Sequence, residues 1–305
     1  MGSTNPASGL KHLTKKRAVI ELILAGALWG FGFVSATWGL RSFTVAEVLG
    51  YRYIIAFILG EAIYYVLNLK KPRLPSKFDF QYSILAGILL GGMLIMQTIG
   101  LQYTTATNSG FITTLYVIIV PVISHLVFKH KVTLTLYLYV LLALIGTLLL
   151  VGVTPSEVNK GDLWTLACSF MGAFHIIYIG RISNKVKDPF RFSNMQSLWS
   201  FVVVLPMLII QPRLNFQTEQ WLPWFGILSL AIGSSLIGFY IQVRTQRVLS
   251  NTTASMLFLL ESPFAFLFGS LFLAESLNLR QVIGALIIIL ASYWTILWEQ
   301  TSQTK

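Results

Sequence analysis

The feature that most constrains this chain is a recurrence of apolar runs, each about 20 residues long, separated by short polar or basic breaks. About 20 predominantly apolar residues are what an α-helix needs to cross the hydrocarbon of a bilayer. The runs lie near 18–40, 45–67, 80–102, 105–128, 132–153, 162–182, 190–211, 222–245, 252–273 and 279–298. They do not alternate at period two, as the strands of a membrane barrel do, and therefore read as helices. Composition agrees: 55% of the 305 residues are apolar and 11% charged, where a soluble domain carries about 25% charged residues. The expected fold is an all-α membrane protein with ten transmembrane helices and lipid as its solvent.

Residues 1–17 read as a disordered cytoplasmic tail ending in the basic cluster Lys11, Lys15, Lys16 and Arg17, and residues 299–305 as a second tail. The first apolar run exceeds the roughly 7–15 residues of a signal-peptide core and has no clear cleavage site. It reads as the first span. Basic residues then set orientation, because cytoplasmic loops are enriched in Lys and Arg. With the N-terminus inside, 17 of the 22 Lys and Arg residues fall in cytoplasmic segments, only Arg41, Lys160, Arg213 and Arg280 fall outside, and Arg52 lies within a span. Losing one span would reverse every later loop and destroy the asymmetry. Both termini are expected in the cytoplasm and the protein in the inner (plasma) membrane. The same charge pattern explains the net +11 without a nucleic-acid partner.

Two stretches resemble each other. Asn108-Ser-Gly-Phe-Ile-Thr-Thr-Leu-Tyr-Val-Ile-Ile-Val-Pro121 in span four is followed by a basic turn and Leu-Ile-Gly146. Asn251-Thr-Thr-Ala-Ser-Met-Leu-Phe-Leu-Leu-Glu-Ser-Pro263 in span nine is followed by Ala-Glu275-Ser-Leu and Ile-Gly284-Ala. The repeat unit is five spans, 18–153 and 162–298. An odd number per half puts the halves in opposite orientation, an inverted repeat of the kind that places a carrier's substrate site near the midplane.

These residues carry a resemblance to the drug/metabolite transporter superfamily in its EamA-type branch. Its marks are Leu28-Trp-Gly-Phe-Gly-Phe-Val34, Arg52, Gly100-Leu-Gln-Tyr-Thr-Thr running on to Pro121, Leu260-Glu-Ser-Pro-Phe-Ala-Phe-Leu267, Glu275 and Gly284. The resemblance spans about 18–298. It implies two EamA repeats, a central cavity lined mainly by spans 1, 3, 4, 6, 8 and 9, and export of amino acids or other small metabolites. One departure is Lys129-His-Lys131 after span four, where the family often carries an acid.

Glu261 is the main candidate for substrate binding or proton coupling, because a carboxylate in mid-membrane is expensive unless it faces a cavity, a partner or a proton path. Its bland reading is a structural link from span nine to a neighbour. Pro263, like Pro121, is expected to break its helix and expose carbonyls. His175 and Tyr178, three apart on span six, form a second candidate pair. Trp29 and Phe33 on span one, Tyr116, Tyr240 and Phe258 are candidate aromatic walls that would suit an ammonium group, although most membrane aromatics only pack or mark interfaces. Gln97, Asn108, Thr113, Ser234 and Gln242 offer uncharged hydrogen bonds. Arg52 could bind an anionic substrate, but reads more readily as a structural ion pair or a snorkelling side chain near Glu47; Glu21 and His125 read as interfacial. Gly26/Gly30 and Gly87/Gly91 permit close helix approach. Cys168, the single cysteine, reads as a small buried hydrophobe.

The expected function is secondary transport: export of an amino acid or amine-like solute by alternating access, with protons as the candidate coupling ion. The expected partners are a small-molecule solute and the bilayer, with monomer and dimer both open. No cofactor, no metal and no catalysis are expected, since no metal-ligand spacing or activated nucleophile is present. The rival classes are a facilitative, channel-like pathway and an exchanger of nucleotide- or phosphate-bearing metabolites, which would want more than one deep cation.

Overall fold

The computed structural model describes residues 13–67, 74–128, 133–151, 159–210, 220–276 and 278–302, and is helical with no strand among them. The helices are α1 (Lys15–Gly39), α2 (Val45–Leu67), α3 (Lys77–Gly100), α4 (Ala106–Thr113), α5 (Tyr116–Phe128), α6 (Leu134–Val151), α7 (Lys160–Ile182), α8 (Pro189–Ile210), α9 (Trp221–Ser229), α10 (Phe239–Thr245), α11 (Asn251–Phe258), α12 (Glu261–Leu273) and α13 (Leu279–Ser302). A π-helical stretch, Leu230–Gly238, joins α9 to α10. Seven segments are long and apolar enough to cross a membrane: α1, α3, 106–123, 160–185, α8, 221–245 and 251–273. Two shorter apolar helices, 134–149 and 279–295, accompany them, together with α2, which carries Glu47, Arg52 and Glu61. Lys15 to Arg17, read from sequence as the end of a tail, form the first turn of α1. The rest of that tail before Leu13, residues 303–305 and Lys129-His-Lys131 lie outside the described residues.

Helix starts follow local chemistry. A helix leaves its first N–H groups unpaired, and a Ser, Thr, Asp or Asn side chain satisfies one of them. Thr14, Ser76, Thr105 and Ser250 each accept from the amide three residues on, and Asn159 forms a reciprocal capping box with Asp162. Glu47 does the same for α2: its carboxylate accepts from the Thr44 amide and hydroxyl, both at 2.9 Å.

Burial is inverted relative to a water-soluble protein. Large apolar side chains such as Ile58, Leu141, Leu163, Leu271 and Leu286 are exposed, while Arg52, Gln97, His175, Gln196, Gln242 and Glu261 are buried. Lipid offers no partner to a polar group, so hydrogen bonding must be met inside the bundle. The polar interior and apolar exterior together describe a multi-pass membrane protein.

Most packing is between the two halves. α6 lies along α13, α2 along α8, α3 against α7 and α8, and α1 against α12 and 221–238. Exchanging each helix of the first half with its counterpart in the second turns each of these contacts into one that is also present, α3–α8 into α2 against 221–238 and α1–α12 into α7 against α4 and α5. Glycines at small-residue spacing let the backbones approach. A Cβ on Gly30 would stand 2.5 Å from the Phe264 Cβ and 2.8 Å from the Ala265 amide nitrogen of α12, and one on Gly87 would stand 2.7 Å from the Gln196 carbonyl of α8.

Candidate functional site

Spans four and nine break at the same place. In each, an eight-residue half-helix (α4, α11) is followed by two non-helical residues and a thirteen-residue half-helix (α5, α12). The interruptions are Thr114–Leu115 and Leu259–Leu260. The proline reading places the first break too far along: α5 runs on through Pro121. Pro263 is the third residue of α12, where the amide it lacks belongs to the unpaired first turn. Its missing donor spares the Leu259 carbonyl, which accepts instead from the Ser262 amide at 3.1 Å.

The residues opening the second half-helices are Tyr116 and Glu261, and their side chains meet: the Tyr116 hydroxyl donates to Glu261 Oε2 at 3.3 Å. As the first residue of α12, Glu261 sits at a helix N-terminus, whose partial positive charge favours a carboxylate. Two further cross-links hold the breaks together. Thr114 and Ser262 share a hydroxyl contact of 2.7 Å, and Ser262 Oγ donates to the Gly110 carbonyl at 3.0 Å.

A cavity opens beside this pair, walled by Trp29, Gly32 and Ala36 of α1, Arg52 of α2, Met93, Leu94 and Gln97 of α3, Tyr116 of α5, Gly172, His175 and Ile176 of α7, Leu230, Ser234, Phe239 and Gln242 of the segment 221–245, and Phe258 and Glu261. Trp29 packs on Phe239 and Phe258 with ring centroids 5.4 and 5.2 Å apart, and its indole N–H donates to the Ser234 carbonyl at 3.3 Å. Gln97 Nε2 donates to Thr113 Oγ1 at 3.2 Å, His175 Nε2 lies 3.1 Å from Gln196 Oε1, and Gln242 Nε2 donates to Gln246 Oε1 at 3.0 Å. The cavity thus pairs an aromatic wall with a ring of amides and the side chains of Arg52 and Glu261.

Of the residues singled out in the sequence, Glu261, His175, Trp29, Gln97, Tyr116, Phe258, Ser234 and Gln242 line this cavity. Four do not. Tyr178 does not reach it: its hydroxyl donates to the Tyr82 carbonyl of α3 at 2.9 Å. Phe33 is buried among Phe43, Val48 and Ile227. Tyr240 lies near Arg244, whose Nη1 donates to its hydroxyl at 3.3 Å. Asn108 is half-buried in the first turn of α4, its amide bonded to Thr105 Oγ1. For Arg52 the favoured reading from sequence, an ion pair or snorkelling, is not what the structure places there. It is neither snorkelling nor paired with Glu47: it is 4% exposed, lines the cavity, and its Nε donates to Ser235 Oγ at 2.7 Å. The signal for it was present, since Arg52 is the one cation deep within an apolar run. Met93 and Phe239 carry no distinguishing sequence signal. Among the described residues, no group of three or more His, Cys, Asp or Glu is placed to hold a metal ion.

Helices long and apolar enough to cross a membrane, enclosing a polar cavity between two matched halves, define the class as a membrane transporter. The chain belongs to the EamA-like transporter family, which it matches twice, over residues 16–152 and 159–297. It is 30% identical over 286 residues to an uncharacterized transporter of Archaeoglobus fulgidus, covering 93% of this chain and 86% of that one. It is 20% identical over 283 residues to the transporter YoaV of Bacillus subtilis, with 89% and 94% covered. A solved crystal structure shares the fold with a TM-score of 0.71 at 16% identity, covering 92% of this chain and 98% of that one.

Proposed function

We propose that this protein is a secondary carrier that exports a small metabolite, an amino acid or amine-like solute, across the inner membrane by alternating access, with protons as the coupling ion. The observation that carries the reading is the position of Glu261: a buried carboxylate opening a half-helix, held by Tyr116 of the opposite half and facing the interior cavity. A carboxylate in that setting is costly to bury and is offset by a cationic solute or by a proton, and one group that takes either in turn couples the two movements.

The matched breaks in spans four and nine, and the exchange symmetry of helix packing, support the reading of ten crossings as two inverted five-helix repeats. With the basic residues concentrated in alternate loops, both termini lie in the cytoplasm. Arg52 is the one cation among the residues lining the cavity, which disfavours a phosphate-bearing substrate, since a doubly charged group is usually met by several cations.

The test is uptake and efflux in proteoliposomes against a panel of amino acids, amines and nucleosides. Saturable movement of an amino acid or amine, abolished in Glu261→Gln, is expected. Movement that is linear in concentration would mark a channel-like pathway instead, and no movement of any of these solutes would sink the carrier reading.

A further inference from the structure

Resting on the carrier reading, we infer that Arg52 and Glu261 are the two poles of a zwitterion site: Arg52 takes the carboxylate of the solute and Glu261 its ammonium group. The solute must therefore carry both charges, with an apolar side chain against Trp29, Phe239 and Phe258.

The inference begins with what each group leaves unused. Arg52 spends its Nε on Ser235 Oγ at 2.7 Å. Among the described residues its two terminal nitrogens meet no hydrogen-bond acceptor, and they are not among the atoms that are both sealed off and unsatisfied; the side chain lines the cavity. Those nitrogens form the flat fork that binds a carboxylate through two parallel hydrogen bonds. Glu261 likewise spends one oxygen, Oε2, on Tyr116, and among the described residues its Oε1 meets no donor and is not sealed off.

The two groups line the same cavity but form no ion pair with each other: the ion pairs found among the described residues join Arg17 and Arg244 to Glu21 and Arg191 to Glu61. An Arg and a Glu buried in one cavity and held apart, each anchored at one atom by a hydroxyl of another helix, leave a gap with a positive and a negative wall. Anchoring is what keeps them from collapsing together. A molecule with one charge of each sign fills that gap and neutralises both walls, whereas an amine or an acid alone leaves one buried charge unmet, the costly case for a polar group out of water. The aromatic wall of Trp29 and its neighbours lies on the same cavity, so the third substituent of the solute meets apolar surface.

The test is equilibrium binding of three probes to the purified protein in lipid nanodiscs: phenylalanine, phenethylamine, which lacks the carboxylate, and 3-phenylpropionate, which lacks the ammonium group. Phenylalanine is expected to bind on the order of ten- to a hundredfold more tightly than either analogue, the range of a lost hydrogen bond to a charged group. Arg52→Met should bring phenylalanine down to the affinity of phenethylamine and leave phenethylamine itself unchanged. Arg52→Lys, which keeps the charge and loses the fork, should fall between. Glu261→Gln should bring phenylalanine down to 3-phenylpropionate. Equal affinity for phenylalanine and phenethylamine in the wild type overturns the inference, as does an Arg52→Met variant that weakens both probes alike, the behaviour of a structural residue. The wild-type comparison needs no variant to fold. If the proteoliposome panel moves amines while this series shows no gain from the carboxylate, the zwitterion site fails and the carrier survives; if neither moves nor binds, both fail.

Discussion

Tyr116 and Glu261 stand 145 residues apart in the chain, at the same position of two matched broken helices, and the hydroxyl of one donates to the carboxylate of the other at 3.3 Å. The same offset relates Thr105 to Ser250, which cap the two first half-helices. A repeat that has diverged to leave a phenol in one half and an acid in the other has thus made its site from a symmetric pair of positions. Each half alone would present one unpartnered polar group to the bilayer interior. Together they satisfy each other, and among the described residues the second carboxylate oxygen meets no donor.

Removing the phenol tests that relationship. Tyr116→Phe should destabilise the protein by about 1 kcal/mol, the usual worth of a buried hydrogen bond, and should lower the apparent affinity for the transported solute. In a double-mutant cycle with Glu261→Gln the two effects should not add, because the hydrogen bond they share is lost only once. Strict additivity in thermal unfolding and transport would show that the contact has no energetic weight.

Glu275 ties the two halves at another point. It follows α12, and its carboxylate accepts from the amides of Ala106 at 2.9 Å and Thr107 at 3.1 Å, and from the Thr107 hydroxyl, at the start of α4. It acts as a capping residue supplied from the opposite repeat. Glu275→Ala should cost about 1–2 kcal/mol of stability, the range for losing a helix cap, and Glu275→Gln, which keeps an acceptor, should cost less. Thermal unfolding of both variants in the same detergent gives the comparison.

Gly30 is expected to reject any side chain. A Cβ there meets the Phe264 Cβ at 2.5 Å and backbone of α12 just beyond it, none of which is the free end of a flexible group. Gly30→Val should be destabilising by at least about 1–3 kcal/mol through overpacking and should disturb Glu261 because it wedges α1 from α12. Expression and thermal unfolding measure the first effect. Gly233→Ala provides the contrast, since its Cβ would meet only the end of Leu28 at 3.3 Å.

Orientation is open to chemical labelling in whole cells. The single native thiol, Cys168, is buried and gives a quiet background. Arg41→Cys should react with a membrane-impermeant maleimide from outside, and Lys77→Cys only after the cells are permeabilised. The reverse pattern would invert the topology, and labelling of both from outside would remove a crossing between them.

How much of this was legible in the sequence depends on the range of the interaction. The apolar runs marked the helices because a helix in lipid meets its backbone hydrogen bonds within itself, and the caps at Ser76, Thr105 and Ser250 are local. The likeness of 108–121 to 251–263 pointed to the repeat. What one strand of sequence could not carry was direction around a helix axis. His175 and Tyr178 share a spacing that suggests one face, yet His175 reaches Gln196 beside the cavity while Tyr178 reaches Tyr82 outside it. Proline drew attention to the right helices and to the wrong residue in α5, because the break follows the register of the repeat rather than the position of Pro121.

The sequence by itself determined that this chain lives in lipid, where its helices begin, and that its halves are copies, since these depend on composition, on neighbours within one turn and on internal likeness. Only the tertiary structure decided which polar residues face one another. Arg52 is a cavity residue because α2 packs against the π-helical stretch that brings Ser235 within 2.7 Å of it, a contact across 183 residues that no local pattern encodes. The site is made by packing between halves, and a charge's role there depends on what the opposite half places in front of it.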